Sequence, residues 1–120
     1  MRSSLAVLLI CTLSVVAAPA LADKKFGAIA FSDSTGKYGW VKNFADKAGA
    51  SDEAVTSCGV DDCKSVVAFA HCGALSVGDG YGMGFSADNT VAKAEETALA
   101  SCDGFTTNCI VSASFCNDPE

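Results

Sequence analysis

A small α+β domain built from two copies of a ββαβ unit is the fold this sequence predicts, and three observations predict it. Segments recur at offsets of 46, 43 and 44 residues. Phe26-Gly27-Ala28-Ile29-Ala30-Phe31 returns as Cys72-Gly73-Ala74-Leu75-Ser76-Val77, Tyr38-Gly39-Trp40 as Tyr81-Gly82-Met83, and Ala54-Val55-Thr56-Ser57-Cys58 as Ala98-Leu99-Ala100-Ser101-Cys102. Within each copy a short run alternates with a period of two, the signature of a strand, before an alanine-rich stretch begins. Each alanine-rich stretch ends on a cysteine, and a second cysteine and a short apolar run follow. The copies are read as residues 26–71 and 72–116 of one domain covering 23–120.

The chain opens on a leader. Arg2 gives a positive start, Leu5 to Val16 an apolar core and Ala20-Leu21-Ala22 a small-x-small site, so residues 1–22 read as a signal peptide cut before Asp23. Phe26 to Ser32 is the first strand, and Asp33-Ser34-Thr35-Gly36 is the turn chemistry of a hairpin. On the return strand Tyr38, Trp40, Lys42 and Phe44 alternate with Gly39, Val41 and Asn43. Asp46 is placed to cap a helix running to about Cys58, and Ser65 to Ala70 suits a short buried strand. The second copy shortens its turn to Gly78-Asp79 and puts Tyr81, Met83 and Phe85 on one strand face, with Gly82, Gly84 and Ser86 on the other. Thr90 then caps a helix to about Cys102, and Ile110 to Phe115 likewise suits a short buried strand. Glycines along a strand face signal a close neighbour. The helix is the expected one, through a stripe of Ala92, Glu95, Leu99 and Cys102 with Ala94 and Ala98 beside it, matched by Ala48, Ser51, Val55 and Cys58 in the first copy.

The 120 residues include 7 Cys and set 14 acidic against 8 basic side chains, and the mean hydropathy of +0.32 is inflated by the leader. Loss of the leader removes Arg2 and Cys11, leaving 98 residues, six cysteines and a net charge of −7. An acidic body without an arginine cluster argues against a nucleic-acid partner. After Ala22 no apolar run approaches the roughly 20 residues of a membrane-spanning helix, so no membrane span is expected. A domain this small buries only about 60 to 65% of its unfolded surface. An even set of cysteines in an exported chain therefore implies a disulfide framework. Six cysteines allow fifteen pairings; the repeat narrows them to Cys58 with Cys63, Cys102 with Cys109, and Cys72 with Cys116. Neither local pair has the Cys-x2-Cys spacing of a zinc site, and no metal or other cofactor is expected.

His71 is the only histidine. Its neighbour Cys72 suggests a thiolate dyad, but an oxidised cysteine offers no thiolate. Ser34-Thr35-Gly36-Lys37 satisfies Ser-x-x-Lys, yet the Ser-Asp-Asn and Lys-Thr-Gly partners of that acylating motif are absent. Carboxylates at Asp61-Asp62, Asp52-Glu53, Glu95-Glu96, Asp79 and Asp88 could serve a hydrolase or a calcium ion, although charges at turns and helix ends are more often solvated. No catalytic, cofactor-binding or metal residue emerges. The residues that stand out are Tyr38, Trp40, Tyr81 and Met83, which share strand faces with Phe44 and Phe85 and are either core or anchors for a partner.

Gly-Ala-(Ile/Leu) at Gly27 and Gly73, Tyr-Gly-(Trp/Met) at Tyr38 and Tyr81, alanine-rich helices ending in Cys58 and Cys102, and Cys72-Gly73-Ala74-Leu75 together resemble a bacterial family catalogued as domain of unknown function 4189. The resemblance covers nearly all of residues 26–116 and departs at Met83, where members usually carry Trp. It implies a small exported protein of the kind found mostly in actinobacteria and proteobacteria, and it transfers no catalytic residue. The expectation is a secreted or periplasmic, non-enzymatic domain that binds an unidentified extracytoplasmic protein, as effector, inhibitor or envelope interaction module. A cell-wall or peptide hydrolase using an Asp or Glu such as Asp61 with His71 is the alternative, and a structural envelope component is a third.

Overall fold

Phe26–Phe31 is apolar or glycine at every position, the composition of a strand covered on both faces. In the computed structural model, which describes residues 24–119, this strand (β1) is the centre of a three-stranded antiparallel sheet. Its neighbours are β2 (Tyr38–Phe44) and β3 (Lys64–Phe69), with α1 (Lys47–Cys58) between them in sequence. A second sheet has β4 (Cys72–Val77) between β5 (Met83–Asp88) and β6 (Ile110–Cys116), with α2 (Val91–Asp103) between the last two. The fold is therefore α+β, with the order ββαβ occurring twice and three disulfides. The signal-peptide reading of residues 1–22, Cys11 included, lies outside the described residues.

The two faces of β1 have different partners. Ala28 and Ala30 pack on Ala50, Ala54 and Cys58 of α1. Ile29 and Phe31 point the other way and meet Phe69 and Leu75, with Val77, Met83, Ala113 and Phe115 around them. In the second sheet Ala74 packs on Ala94 and Ala98 of α2 while Leu75 enters the shared cluster. The sheets thus stack face to face with a helix on each outer side. Phe69 lies against both Gly27 and Gly73, so β1 and β4 start at the same end of the stack.

Both helices are capped where the sequence places the caps. The Asp46 carboxylate accepts from the Gly49 amide at 2.6 Å, and the Thr90 hydroxyl accepts from the Lys93 amide at 3.2 Å. The buried stripes share Cys58 and Cys102 with the expected ones and differ in the rest. They are Ala50, Ala54 and Cys58 on α1 and Ala94, Ala98 and Cys102 on α2, while Ala48 and Ala92 are exposed and Val55 and Leu99 lie at the flanks. A Cβ on Gly39 would strike the backbone of Ala54 and Cys58, and one on Gly84 that of Ala98 and Cys102. With helix and strand backbones this close, only alanine and cysteine occupy the buried helix stripes.

Two local features break the simple alternation. Phe26 pairs with Phe44 but Ala28 with Val41, and Asn43 takes φ 65°, so a β-bulge turns Phe44 from the face of Tyr38 and Trp40 onto the α1 side. After β4, Asp79–Tyr81 forms a single 3-10 turn with Tyr81 at φ 63°, so β5 begins at Met83. Phe31 and Val77 face Tyr38 and Met83 in their respective pairs, as Ile29 and Leu75 face Trp40 and Phe85. Tyr38-Gly39-Trp40 therefore corresponds in position to Met83-Gly84-Phe85, two residues beyond the match suggested by Tyr81-Gly82-Met83. Phe85 occupies the place of Trp40.

Candidate functional site

Two of the candidate carboxylates, Asp62 and Asp79, hold loops together. Buried Ser32 donates to Asp62 at 2.6 Å, and the Ser34 amide reaches the second carboxylate oxygen at 3.2 Å. Asp62, from the loop closed by Cys58–Cys63, thereby ties the first hairpin turn to that loop. Donation from Ser32 and then Ser34 holds its carboxyl below the ordinary Asp value. At the second turn Asp79 does the same work in reverse. Its carboxylate accepts from Thr107 at 3.0 Å and Asn108 at 2.7 Å, in the loop closed by Cys102–Cys109. Among the described residues no group of three or more His, Cys, Asp or Glu is placed to hold a metal ion.

His71 is exposed in the connection from β3 to β4 and borders a cleft of about 340 Å³ with Asn89, Asn117 and Asp118. Asp61 precedes the other end of β3, a six-residue strand. At about 3.3 Å per residue, that strand holds the two roughly 20 Å apart. All six cysteines among the described residues are paired: Cys58–Cys63, Cys102–Cys109, and Cys72–Cys116 across directly opposed positions of β4 and β6. Buried Asn117 follows that last bridge. It donates to the Phe69 carbonyl at 3.1 Å and accepts from the Asn43 amide at 2.9 Å, which secures the β2 bulge. Next to it, the Lys42 ammonium lies 3.2 Å from Asp118 and lowers that carboxyl's pKa.

The aromatic residues separate into two surfaces. On one, Tyr38 donates to the Ser112 carbonyl at 2.9 Å and Trp40 stacks at 4.9 Å on Phe115, so both bridge β2 to β6 of the other sheet. Trp40 still leaves 47% of its surface exposed. With Ser112 and Phe115 these two side chains line a groove of about 300 Å³. On the other, Tyr81, Met83, Phe85, Phe105, Ser101 and Asp33 line a groove of about 320 Å³. Met83 is half-buried against the core shared by the sheets, whereas Tyr81 is 47% and Phe105 79% exposed. The Tyr81 ring rests on Gly36, whose φ of 72° no larger residue adopts readily. Phe105 is the surface residue that the alternating pattern misses, because it lies outside any strand. An aromatic in the short polar loop between Cys102 and Cys109, with no core to enter, is the signal that marks it.

A family profile described as domain of unknown function (DUF4189) matches residues 26–116. Protein Rv1269c of Mycobacterium tuberculosis and Protein Mb1300c of Mycobacterium bovis are each 37% identical to the chain over 79 residues, 66% of its length. That stretch spans only 62% of the relatives' own length. The NMR structure of Rv1813c from Mycobacterium tuberculosis superposes with a TM-score of 0.61, covering 98% of this chain and 94% of that one. At 24% identity this likeness is one of fold alone.

Proposed function

This chain belongs to the family described as domain of unknown function (DUF4189), and from that premise we propose an exported, disulfide-stabilised binding module that engages a protein outside the cytoplasm. In this reading residues 1–22 direct export and are removed, and the remaining domain arose by tandem duplication of a ββαβ unit. Three disulfides fit an oxidising compartment, and among the described residues no helix is long and apolar enough to cross a membrane.

The observation that carries the reading is the exposure of Trp40, Tyr81, Phe85 and Phe105, none of which belongs to the buried core. Large aromatics held rigidly at a surface are the usual anchors of protein interfaces. The hydrolase alternative asks an Asp or Glu to act with His71; the length of β3 keeps Asp61 from that role, and the exposed aromatics favour the binding reading. A capture experiment tests the proposal. The oxidised protein is immobilised as wild type, Trp40→Ala and Phe105→Ala, and exposed to envelope and culture-fluid extracts. A protein retained saturably by wild type and lost from at least one variant supports the reading. Absence of saturable retention, or equal retention by all three, overturns it.

A further inference from the structure

The groove at Tyr81 and Phe105 differs from the one at Trp40 in its charge. Its lining is aromatic and apolar except for Ser101 and Asp33, and no lysine contributes to it. Two more carboxylates stand close by in sequence, Asp79 two residues before Tyr81 and Asp103 two residues before Phe105. The hydrogen bonds that Asp79 accepts come from Thr107 and Asn108, which are neutral, so its negative charge is not cancelled. The loops at this end are joined by Tyr81 on Gly36, Ser32 on Asp62 and Thr107 on Asp79. Together with the strand ends they carry Asp33, Asp61, Asp62, Asp79 and Asp103 against Lys37 and Lys64.

The groove is also preformed. Tyr81 sits in the left-handed region, which a bulky residue adopts at a cost and retains only when its surroundings enforce it. Here the enforcement is visible: the Gly78 amide donates to the Gly82 carbonyl at 2.8 Å, Asp79 donates to the Thr107 carbonyl at 2.9 Å, and Thr106 donates to the Asp79 carbonyl at 2.7 Å. The loop that fixes Tyr81 is the one that presents Phe105, and the Cys102–Cys109 bridge closes it.

From these features we infer that this groove takes an arginine or lysine side chain of the protein partner. The aliphatic stem of such a side chain would lie on the aromatic faces, and its cationic head would face Asp33 within an acidic surround. Aromatic faces attract cations, and a carboxylate beside them adds an attraction that salt screens. The inference rests on the binding-module reading and specifies the partner's chemistry at one of its two surfaces.

Titration of isotope-labelled, oxidised protein with the capped tripeptides Ala-Arg-Ala, Ala-Gln-Ala and Ala-Glu-Ala, followed by amide NMR shifts, tests it. The arginine peptide is expected to give saturable shifts at Gly82, Phe85 and Phe105 and to bind at least about fivefold more tightly than the glutamine peptide. Asp33→Asn and Phe105→Ala should each weaken it by about threefold or more, while Val91→Ala, at an exposed position outside the groove, should not. Equal binding of all three peptides, or shifts insensitive to Asp33→Asn and Phe105→Ala, would overturn the inference. Self-association abolished by Phe105→Ala would also overturn it, in favour of a second copy of the chain as occupant. Should a captured partner still depend on Phe105 while the arginine peptide fails to bind, the cationic inference falls and the binding reading survives.

Discussion

Gly39 and Gly84 set the spacing of the whole molecule, because each lies where a helix backbone touches its sheet. A methyl group at either would overlap main-chain atoms of α1 or α2, which cannot move aside as a flexible side chain could. Gly39→Ala and Gly84→Ala should each lower stability by about 3 kcal/mol or more. Gly80→Ala should cost only about 1 kcal/mol, since that glycine has a positive φ but nothing within 4 Å. Urea unfolding of the three variants checks the ranking. The glycine period was legible in the sequence, and so were Cys58 and Cys102 among the helix residues that meet it. Hydrophobicity favours Leu99 and Val55 for the rest of the stripe, while the close approach puts Ala94, Ala98, Ala50 and Ala54 there. Charge acts at this scale too. Asp62 has its folded pKa lowered from 3.8 by donation from Ser32 and Ser34, so its contribution to stability is present above pH 3.8 and is lost as pH falls through the lowered value. The thermal midpoint of Asp62→Asn should therefore fall less than that of wild type between about pH 5 and pH 2.

The elements show why order was easier to read than register. Caps at Asp46 and Thr90, turns at Gly36 and Gly78, and cysteines closing each helix mark boundaries with residues whose local chemistry is nearly unambiguous. Register depends instead on how many residues a turn absorbs. The 3-10 turn at Asp79–Tyr81 takes up Tyr81, and this moves the counterpart of Trp40 from Met83 to Phe85. Asn43 similarly absorbs a residue into a bulge and sends Phe44 to the helix side. The disulfides differ by the chain they enclose. Cys72–Cys116 spans a separation of 44 residues, against 5 for Cys58–Cys63 and 7 for Cys102–Cys109. On the chain-entropy account these are worth about 4, 2 and 2.5 kcal/mol. Replacing Cys72 and Cys116 together by alanine should thus lower the urea midpoint more than replacing either local pair. An equal or smaller loss would contradict the assignment of the long bridge as the main restraint on the unfolded chain.

Across the whole molecule, the apolar runs at Ser65 to Ala70 and Ile110 to Phe115 read as buried strands, yet β3 and β6 are half-buried edges and the strands covered on both faces are the central β1 and β4, whose second face has a partner the sequence does not name. That partner is the opposite sheet, reached through Ile29, Phe31, Phe69 and Leu75, and only the fold brings these residues together. The same stacking divides the aromatics. Tyr38 and Trp40 serve in part to join β2 to β6, Met83 leans into the core, and Tyr81, Phe85 and Phe105 remain turned to solvent around Asp33. Function then follows from what the core leaves outside: two aromatic grooves on a scaffold that crosslinks and hydrogen-bonded turns hold in shape. The most direct measurement is the dissociation constant of a captured partner for wild type and for Phe105→Ala, taken beside the unfolding midpoint of each. Affinity is expected to fall at least about tenfold at an unchanged midpoint, the behaviour of an interface anchor. An unchanged affinity, with Trp40→Ala equally without effect, would contradict the binding reading.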